Sequence, residues 1–454
     1  MPRAVQPPVA TPERPRFSEA LAYWLKLGFI SFGGPAGQIA VMHHDLVERK
    51  RWISERRFLH ALNYCMVLPG PEAQQLATYI GWLLHRTWGG LLAGGLFVLP
   101  SLLILIALSW LYMSHGHLPA VASVLYGIKP AITVIVIAAA VRLGRRTLIN
   151  GGLRALALAS FVAIFLFRLP FPLIVLAAAL LGWIGGRRWP HAFTVLGTRS
   201  GDGSGEPAAK ALIDEQSPLP EHARFRWPRF ARVLAVVLLL WAAAMAALAV
   251  LHGWHGTLTQ MGWFFTKAAL LTFGGAYAVL PYVYQGAVEH HHWLTGAQMI
   301  DGLALGETTP GPLIMVVAFV GFVGGWGQGL FGPDLPWLSG AVAACVVTFF
   351  TFLPSFGFIF LGAPFIETTR GQLRFTAPLT AITAAVVGVI VNLAVFFAGH
   401  VLWPAGPAGP FEWPALVIGA VAAVALWRFK LGVMPLVALC GGLGWAAGAF
   451  GLLR

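Results

Sequence analysis

Residues 87–128 contain no Lys, Arg, Asp or Glu, and residues 375–410 contain none either. A soluble core has no use for uncharged runs of that length, whereas a bilayer-spanning helix needs about 20 mostly apolar residues. Charged residues make up 10% of the chain and hydrophobic ones 58%, against about 25% charged in an average soluble domain. The chain is therefore expected to be an all-α polytopic membrane protein. Its 53 Gly and 31 Pro would indicate loops in a soluble protein. In membrane helices they mark close packing and broken segments.

The formal net charge of +13 has two readings, nucleic-acid binding or membrane topology. Lys and Arg sit in loops between apolar runs, so topology is preferred and no nucleic-acid partner is expected. Cys65, Cys345 and Cys440 stand singly in apolar contexts, without metal spacing or a disulfide framework. Residues 1–16, rich in Pro and Arg, read as a disordered tail with no cleavable signal segment. The stretch 201–232, rich in Gly, Ser, Pro and charge, reads as exposed. A cytoplasmic linker over 187–228 is expected to divide a first transmembrane unit (17–186) from a second (229–454).

The two units are related at a constant spacing of 241 residues. Phe32-Gly33-Gly34 matches Phe273-Gly274-Gly275, and Val47-Glu48 matches Val288-Glu289. Trp52 matches Trp293, Leu62 matches Leu303, and Lys26 matches Lys267. Pro69-Gly70-Pro71 matches Pro310-Gly311-Pro312, and farther on Pro100-Ser101 resembles Pro354-Ser355 after an insertion around 327–338. Apolar composition alone does not put Lys, Glu, Trp and Pro-Gly-Pro in one register, so the chain is internally duplicated. Residues 43–57 hold five Lys/Arg, and their counterparts 284–298 hold none. The stretches 142–154 and 187–232 hold four and eight, whereas 114–119, 252–257 and 399–414 hold none. The positive-inside rule then places equivalent loops on opposite sides of the bilayer. That is an inverted repeat, a design recurring in secondary transporters.

Crossings are expected over 88–114, 119–141, 150–167, 170–186, 230–251, 337–362, 375–398, 414–427 and 431–453. Five of them fall between the starts of the two repeats, and an odd number inverts the second copy. Segments 17–42 and 58–85 begin and end beside basic residues, so each is expected to enter and return. Pro69-Gly70-Pro71 cuts the second into arms of about 11–14 residues, roughly 16–21 Å of helix, too short to cross. The alternative, with 17–42 crossing fully, strands five Lys/Arg outside.

The breaks carry the candidate chemistry. Gly33, Gly34, Gly274 and Gly275 permit turns and close backbone approach. In Pro69-Gly70-Pro71 and Pro310-Gly311-Pro312 a half-helix starting inside the membrane exposes N–H groups and a positive dipole end, which can hold an oxyanion. The competing reading is that these motifs only shape tight packing. Lys26 and Lys267 form a repeat-related cation pair suited to a divalent anion, or snorkel to the interface. Glu72, with Gln74 and Gln75, and Glu307, with Thr308 and Thr309, are candidates for proton coupling, or partners of a helix dipole. Lys129, before Pro130, is a secondary cation candidate; Asn63 and Asp301 are weaker pore-lining candidates. His290, His291 and His292 read as outer loop residues, because consecutive histidines point different ways and no further ligands accompany them. Neither a metal nor a cofactor is expected. No nucleotide loop, catalytic triad or metal motif supports an enzyme, and motifs alone do not separate a carrier from an anion channel.

At Phe32-Gly33-Gly34-Pro35, Glu48 to Trp52, Pro69-Gly70-Pro71-Glu72 with Gln74, Phe273-Gly274-Gly275-Ala276-Tyr277 and Gly306-Glu307-Thr308-Thr309-Pro310-Gly311-Pro312, the sequence resembles the chromate ion transporter family in its long, two-domain form. The resemblance covers nearly the whole chain apart from the tail and the linker. It implies a multi-pass protein of the bacterial inner membrane that exports chromate, driven by the proton-motive force, and so confers chromate resistance. Sulfate, a similar tetrahedral dianion, would share the path. The partners so implied are the anion and the lipid bilayer, with a homodimer left open. Ala276 stands where the first repeat has Pro35, a departure from a symmetric site.

Overall fold

The computed structural model describes residues 13–32, 34–188, 211–214, 220–369, 376–406 and 408–451. Sixteen α-helices and no strand occur among them. The first half comprises α1 (Phe17–Ile30), α2 (Gly34–His43) running into a π-helical turn (His44–Arg49), and α3 (Glu55–Val67). It continues with α4 (Glu72–His115), α5 (Pro119–Thr147), α6 (Gly151–Phe165) and α7 (Phe171–Arg188). A joining helix α8 (Trp227–His252) leads to α9 (Thr257–Leu271), α10 (Ala276–Tyr284), a second π-helical turn (Gln285–His290) and α11 (Gly296–Thr308). The second half ends with α12 (Val316–Gln328), α13 (Pro336–Thr369), α14 (Thr376–Leu402), α15 (Trp413–Trp427) and α16 (Val433–Ala449).

The duplication reaches fine detail. The two π-helical turns, and α3 and α11, are offset by 241 residues at both ends. Arg51 and His292, equivalent residues just past the π-helical turns, share a left-handed backbone with φ 52°. The next residues donate equivalent hydrogen bonds, Trp52 N–H to Leu46 O and Trp293 N–H to Ala287 O, each 2.8 Å. Ser54 caps α3, and Thr295 with Gln298 forms a reciprocal capping box on α11. Where the second half breaks fully between α12 and α13, the first half only kinks, at His85 and Arg86 within α4.

Among the described residues, six helices are long and apolar enough to cross a bilayer, namely α4, α5, α7, α8, α13 and α14. Three of the expected crossings are shorter helices, α6 and α15 of 15 residues and α16 of 17. Arg168 and Lys430, at φ 49° and 53°, turn the chain just beyond α6 and α15. The first half's α1 and α3 have 14 and 13 residues, roughly 20 Å each against a hydrocarbon core of about 30 Å.

The halves interlock rather than sit side by side. Helix α5 packs on α14, α15 and α16, while α14 packs on α6 and α7, and α4 on α12 and α13. Gly127 and Gly444 let α5 and α16 touch backbone to backbone: a Cβ on Gly127 would lie 2.7 Å from the Gly444 Cα. Such close approach replaces the hydrophobic drive that is missing between helices in lipid.

The basic segments gather at one end. Lys50 Nζ lies 3.2 Å from Glu19 Oε1, and His85 Nε2 lies 3.0 Å from Pro15 O. Glu48, hydrogen-bonded by His44 and near His43, is held below the usual carboxylate range. The described pieces of the linker are only partly exposed, in contrast to the exposed segment expected from composition. Leu212 N–H donates to Arg51 O and Ile213 N–H to Trp52 O (3.0 and 3.2 Å), and Ser54 N–H returns to Ile213 O at 3.0 Å. Ile213 and Ala223 are buried, and His222 Nε2 lies 2.9 Å from Trp82 O. Burying these few apolar side chains pins the linker to the end of the first half. The tail before Glu13 and residues 189–210 and 215–219 lie outside the described residues. The turn equivalent to 49–52 lies elsewhere: His292 and Trp293 line a cavity with Met113, at the far end of α4.

Candidate functional site

Four helix breaks meet in the interior. In each Pro-Gly-Pro the glycine has the sole N–H, since proline has none, and both of these N–H groups reach into the opposite half. Gly70 N–H donates to Thr272 O at 2.7 Å, and Gly311 N–H donates to Ser31 O at 2.8 Å. Thr272 and Gly311 are the repeat counterparts of Ser31 and Gly70, so the exchange between the halves is reciprocal. Both glycines need positive φ, 126° and 102°. A Cβ on Gly70 would lie 2.5 Å from Ser355 Oγ and 2.6 Å from Gln75 Nε2; one on Gly311 would lie 2.8 Å from Ser101 Cβ. Ser101 and Ser355 are themselves repeat counterparts, on α4 and α13.

The lining is polar, neutral and buried. Ser31, Gln38, Gln74, Gln75, Ser101 and Ser355 are each at most 1% exposed. Gln38 Nε2 donates to Gly311 O at 2.5 Å, Gln74 Nε2 to Thr78 Oγ1 at 3.1 Å and Gln75 Nε2 to Pro69 O at 2.8 Å. The hydroxyls of Ser31, Ser101 and Ser355 and the Oε1 atoms of the three glutamines have no partner. A buried polar atom without a partner costs about 1–3 kcal/mol, and such a cluster marks a place built for a polar guest. Three free hydroxyls and the N-terminus of α4, which opens at Glu72 directly after Pro71, supply donors and positive dipole to an oxyanion.

The motif residues fall as follows. Pro69, Gly70, Pro71, Pro310, Gly311 and Pro312 form the junction, and Gly34, Gly274 and Gly275, at φ 73°, 82° and 94°, turn the chain at the paired breaks. Gly33 lies outside the described residues. Lys26 and Lys267 are not brought to the junction; both are exposed. On α1 the buried stripe is Ala20, Tyr23, Trp24 and Leu27, and Lys26 falls off that face. On α9 Lys267 Nζ lies 5.6 Å from the centre of the Trp263 ring. Thr308 and Thr309 hydroxyls bond back to Leu305 O and Gly306 O, each at 3.0 Å, within the last turn of α11. Glu72 is half-buried beside the junction, and Glu307 is buried and accepts the Tyr277 hydroxyl. Arg146 and Arg142, one turn apart on α5, act electrostatically on Glu72 and Glu307 respectively. Asn63 is exposed. His291 stacks on Trp293 with ring centres 4.4 Å apart. Burial, aided by His290, Lys267 and His292, pushes its pKa down to about 4.

Two ionic triads, each around a buried carboxylate, were not visible as groups in the sequence. Arg57 on α3 pairs with Glu367 in the last turn of α13, whose other oxygen accepts Tyr79 OH at 2.6 Å. Asp301 on α11 accepts Tyr112 OH from the last turns of α4 at 2.9 Å, and Lys129 Nζ lies 3.5 Å from the same oxygen. Each joins the first arm of a Pro-Gly-Pro hairpin to the far end of a long helix of the other half. Ser31, Ser101 and Ser355 carried a usable signal, the repeat matches Ser31/Thr272 and Pro100-Ser101/Pro354-Ser355. Gln38 carried none, because its counterpart is Val279.

A helical bundle with four breaks meeting around buried, unsatisfied polar groups defines the class: a polytopic membrane protein of transporter architecture. The family profile described as Chromate transporter matches residues 18–183 and 259–445, so the chain belongs to the chromate transporter family. It is 31% identical over 455 residues to the "Chromate transport protein" of Pseudomonas aeruginosa, covering 97% of this chain and 94% of that one. It is 29% identical over 420 residues to the "Chromate transport protein" of Cupriavidus metallidurans, covering 92% and 90%. A Bacillus subtilis protein described as "Uncharacterized transporter YwrB" is 28% identical over 132 residues, 29% of this chain but 67% of the relative. No solved structure matches the chain.

Proposed function

We propose that this protein exports chromate across the bacterial inner membrane, coupled to the proton-motive force, with its two halves inverted in the bilayer. The observation that carries the reading is the junction of four breaks, where Ser31, Ser101 and Ser355 present free hydroxyls beside the α4 N-terminus. A tetrahedral dianion has four acceptor oxygens, and the three serine hydroxyls of this neutral site can donate to them, replacing hydration without binding too tightly to release. Relatives described as chromate transport proteins support chromate as the cargo; sulfate shares its shape and charge. Arg142, Arg145 and Arg146 at the end of α5 concentrate anions at the basic end. Glu72 and Glu307, the carboxylates beside the junction, are the groups assigned to carry protons. Lys26 and Lys267 are left out of the site because their side chains are exposed.

The test is chromate flux into liposomes holding the purified protein, with an imposed pH gradient and with sulfate as competitor. Saturable, gradient-dependent flux that falls in Ser101→Ala and Ser355→Ala supports the reading. Flux that is linear in chromate and indifferent to the gradient replaces export by a channel, and flux of another oxyanion alone replaces the cargo.

A further inference from the structure

The two ionic triads occupy related places but are built differently. In the Arg57–Glu367–Tyr79 group both carboxylate oxygens are engaged, and the Arg57 and Glu367 side chains are 9% and 4% exposed. In the Lys129–Asp301–Tyr112 group a single carboxylate oxygen serves both partners, and Asp301 Oδ1, deeply buried, has none. The ammonium stands at 3.5 Å, far from the roughly 2.7–2.9 Å of a tight charge-assisted bond, and the Lys129 side chain is 28% exposed. One triad is saturated; the other holds its cation loosely, with an open side.

The place of the loose triad gives it a use. Asp301 lies on α11 between the far-end cavity and the tip at Glu307 to Gly311. That cavity, of about 400 Å³, is lined by Met113, next to Tyr112, and by Gln298, one helical turn before Asp301. Lys129 therefore stands between the junction and the cavity.

We propose that Lys129 is a second oxyanion station, in which a dianion leaving the junction displaces Asp301 from the ammonium while Asp301 keeps the Tyr112 hydroxyl. This rests on the reading of the junction as an anion site. A chromate or sulfate ion at Lys129 meets a positive charge in place of neutral donors, and the returning Asp301 carboxylate then competes it off toward the cavity. The carboxylate acts as a built-in competitor, so the station holds the ion only in passing.

The experiment titrates chromate, and separately sulfate, against the heat-denaturation midpoint of the purified full-length protein, for wild type, Asp301→Asn and the neutral pair K129Q/D301N. Removing the competing carboxylate should lower the half-effect concentration in D301N by about tenfold, the scale of one lost ion-pair partner of the ammonium. The neutral pair should lose that gain and bind more weakly than wild type. An unchanged titration in D301N, or a gain retained in K129Q/D301N, overturns the station. A shift in D301N with none in wild type upholds the station and removes the junction reading. A wild-type shift with D301N unaltered does the reverse, and no shift in either removes both. If D301N fails to fold, the neutral pair decides, since a wild-type titration there overturns the station.

Discussion

Gly70→Ala is the sharpest test of the junction. The backbone at Gly70 has φ 126°, and the new Cβ would lie 2.5 Å from Ser355 Oγ and 2.6 Å from Gln75 Nε2. A non-glycine residue in such a region costs about 1–3 kcal/mol, and overpacking a filled interior costs about 1–3 kcal/mol more. Gln75 can yield only by giving up its 2.8 Å bond to Pro69 O. Gly311→Ala meets the equivalent wall at Ser101 and should behave alike. Gly275→Ala is the internal control: its φ is 94°, but nothing lies within 4 Å of an added Cβ, so only the backbone cost of about 1–3 kcal/mol applies. The order expected for the fall in heat-denaturation midpoint is Gly70→Ala and Gly311→Ala well beyond Gly275→Ala. Chromate flux should be lost in the first two as the N–H groups leave Thr272 O and Ser31 O. Adding Ser355→Ala to Gly70→Ala should restore part of the midpoint by removing the nearer contact. Equal midpoints for Gly70→Ala and Gly275→Ala would refute the packed, reciprocal junction.

Other outcomes follow from the same structure. Glu72→Gln and Glu307→Gln should make chromate flux insensitive to the imposed pH gradient; unchanged dependence in both removes these carboxylates as proton carriers. Glu367→Ala strands the buried Arg57 charge and should cost about 3–5 kcal/mol, read as a large drop in midpoint, while Glu19→Ala, at the exposed Lys50 pair, should change little. His291 is neutral in the fold with its pKa pushed down to about 4, so the unfolded chain takes up its proton first. Its contribution to stability is complete above about pH 6.5, the ordinary histidine value, and is lost as the pH falls from there toward 4. The midpoint should therefore drop between pH 7 and 5, and His291→Gln should flatten that drop.

Much of this protein is decided locally and so could be read along the chain. Uncharged runs longer than 20 residues have no favourable place outside a bilayer. Single prolines such as Pro100 and Pro130 stay inside α4 and α5, but two prolines around a glycine at positive φ end a helix, which is why Pro69-Gly70-Pro71 and Pro310-Gly311-Pro312 mark breaks in sequence as in space. Duplicated local sequence repeats its local structure, down to the π-helical turns and the left-handed Arg51 and His292. What only the tertiary structure decided are the pairings between elements far apart in the chain. Which carbonyl receives the Gly70 N–H, which carboxylate Arg57 meets, and which way Lys26 faces depend on how the halves interlock. Lys26 sits six residues before its break and is open in sequence to two readings, half of a cation pair for a dianion or a snorkelling lysine; the 3.6-residue helical period puts it off the stripe of Ala20, Tyr23, Trp24 and Leu27. The linker reads as exposed because its composition is polar, yet Ile213 is buried and its N–H bonds to Trp52 O. Local steric and hydration preferences act within a few residues, whereas the polar site is made of groups brought together across hundreds of positions by the burial of everything around them.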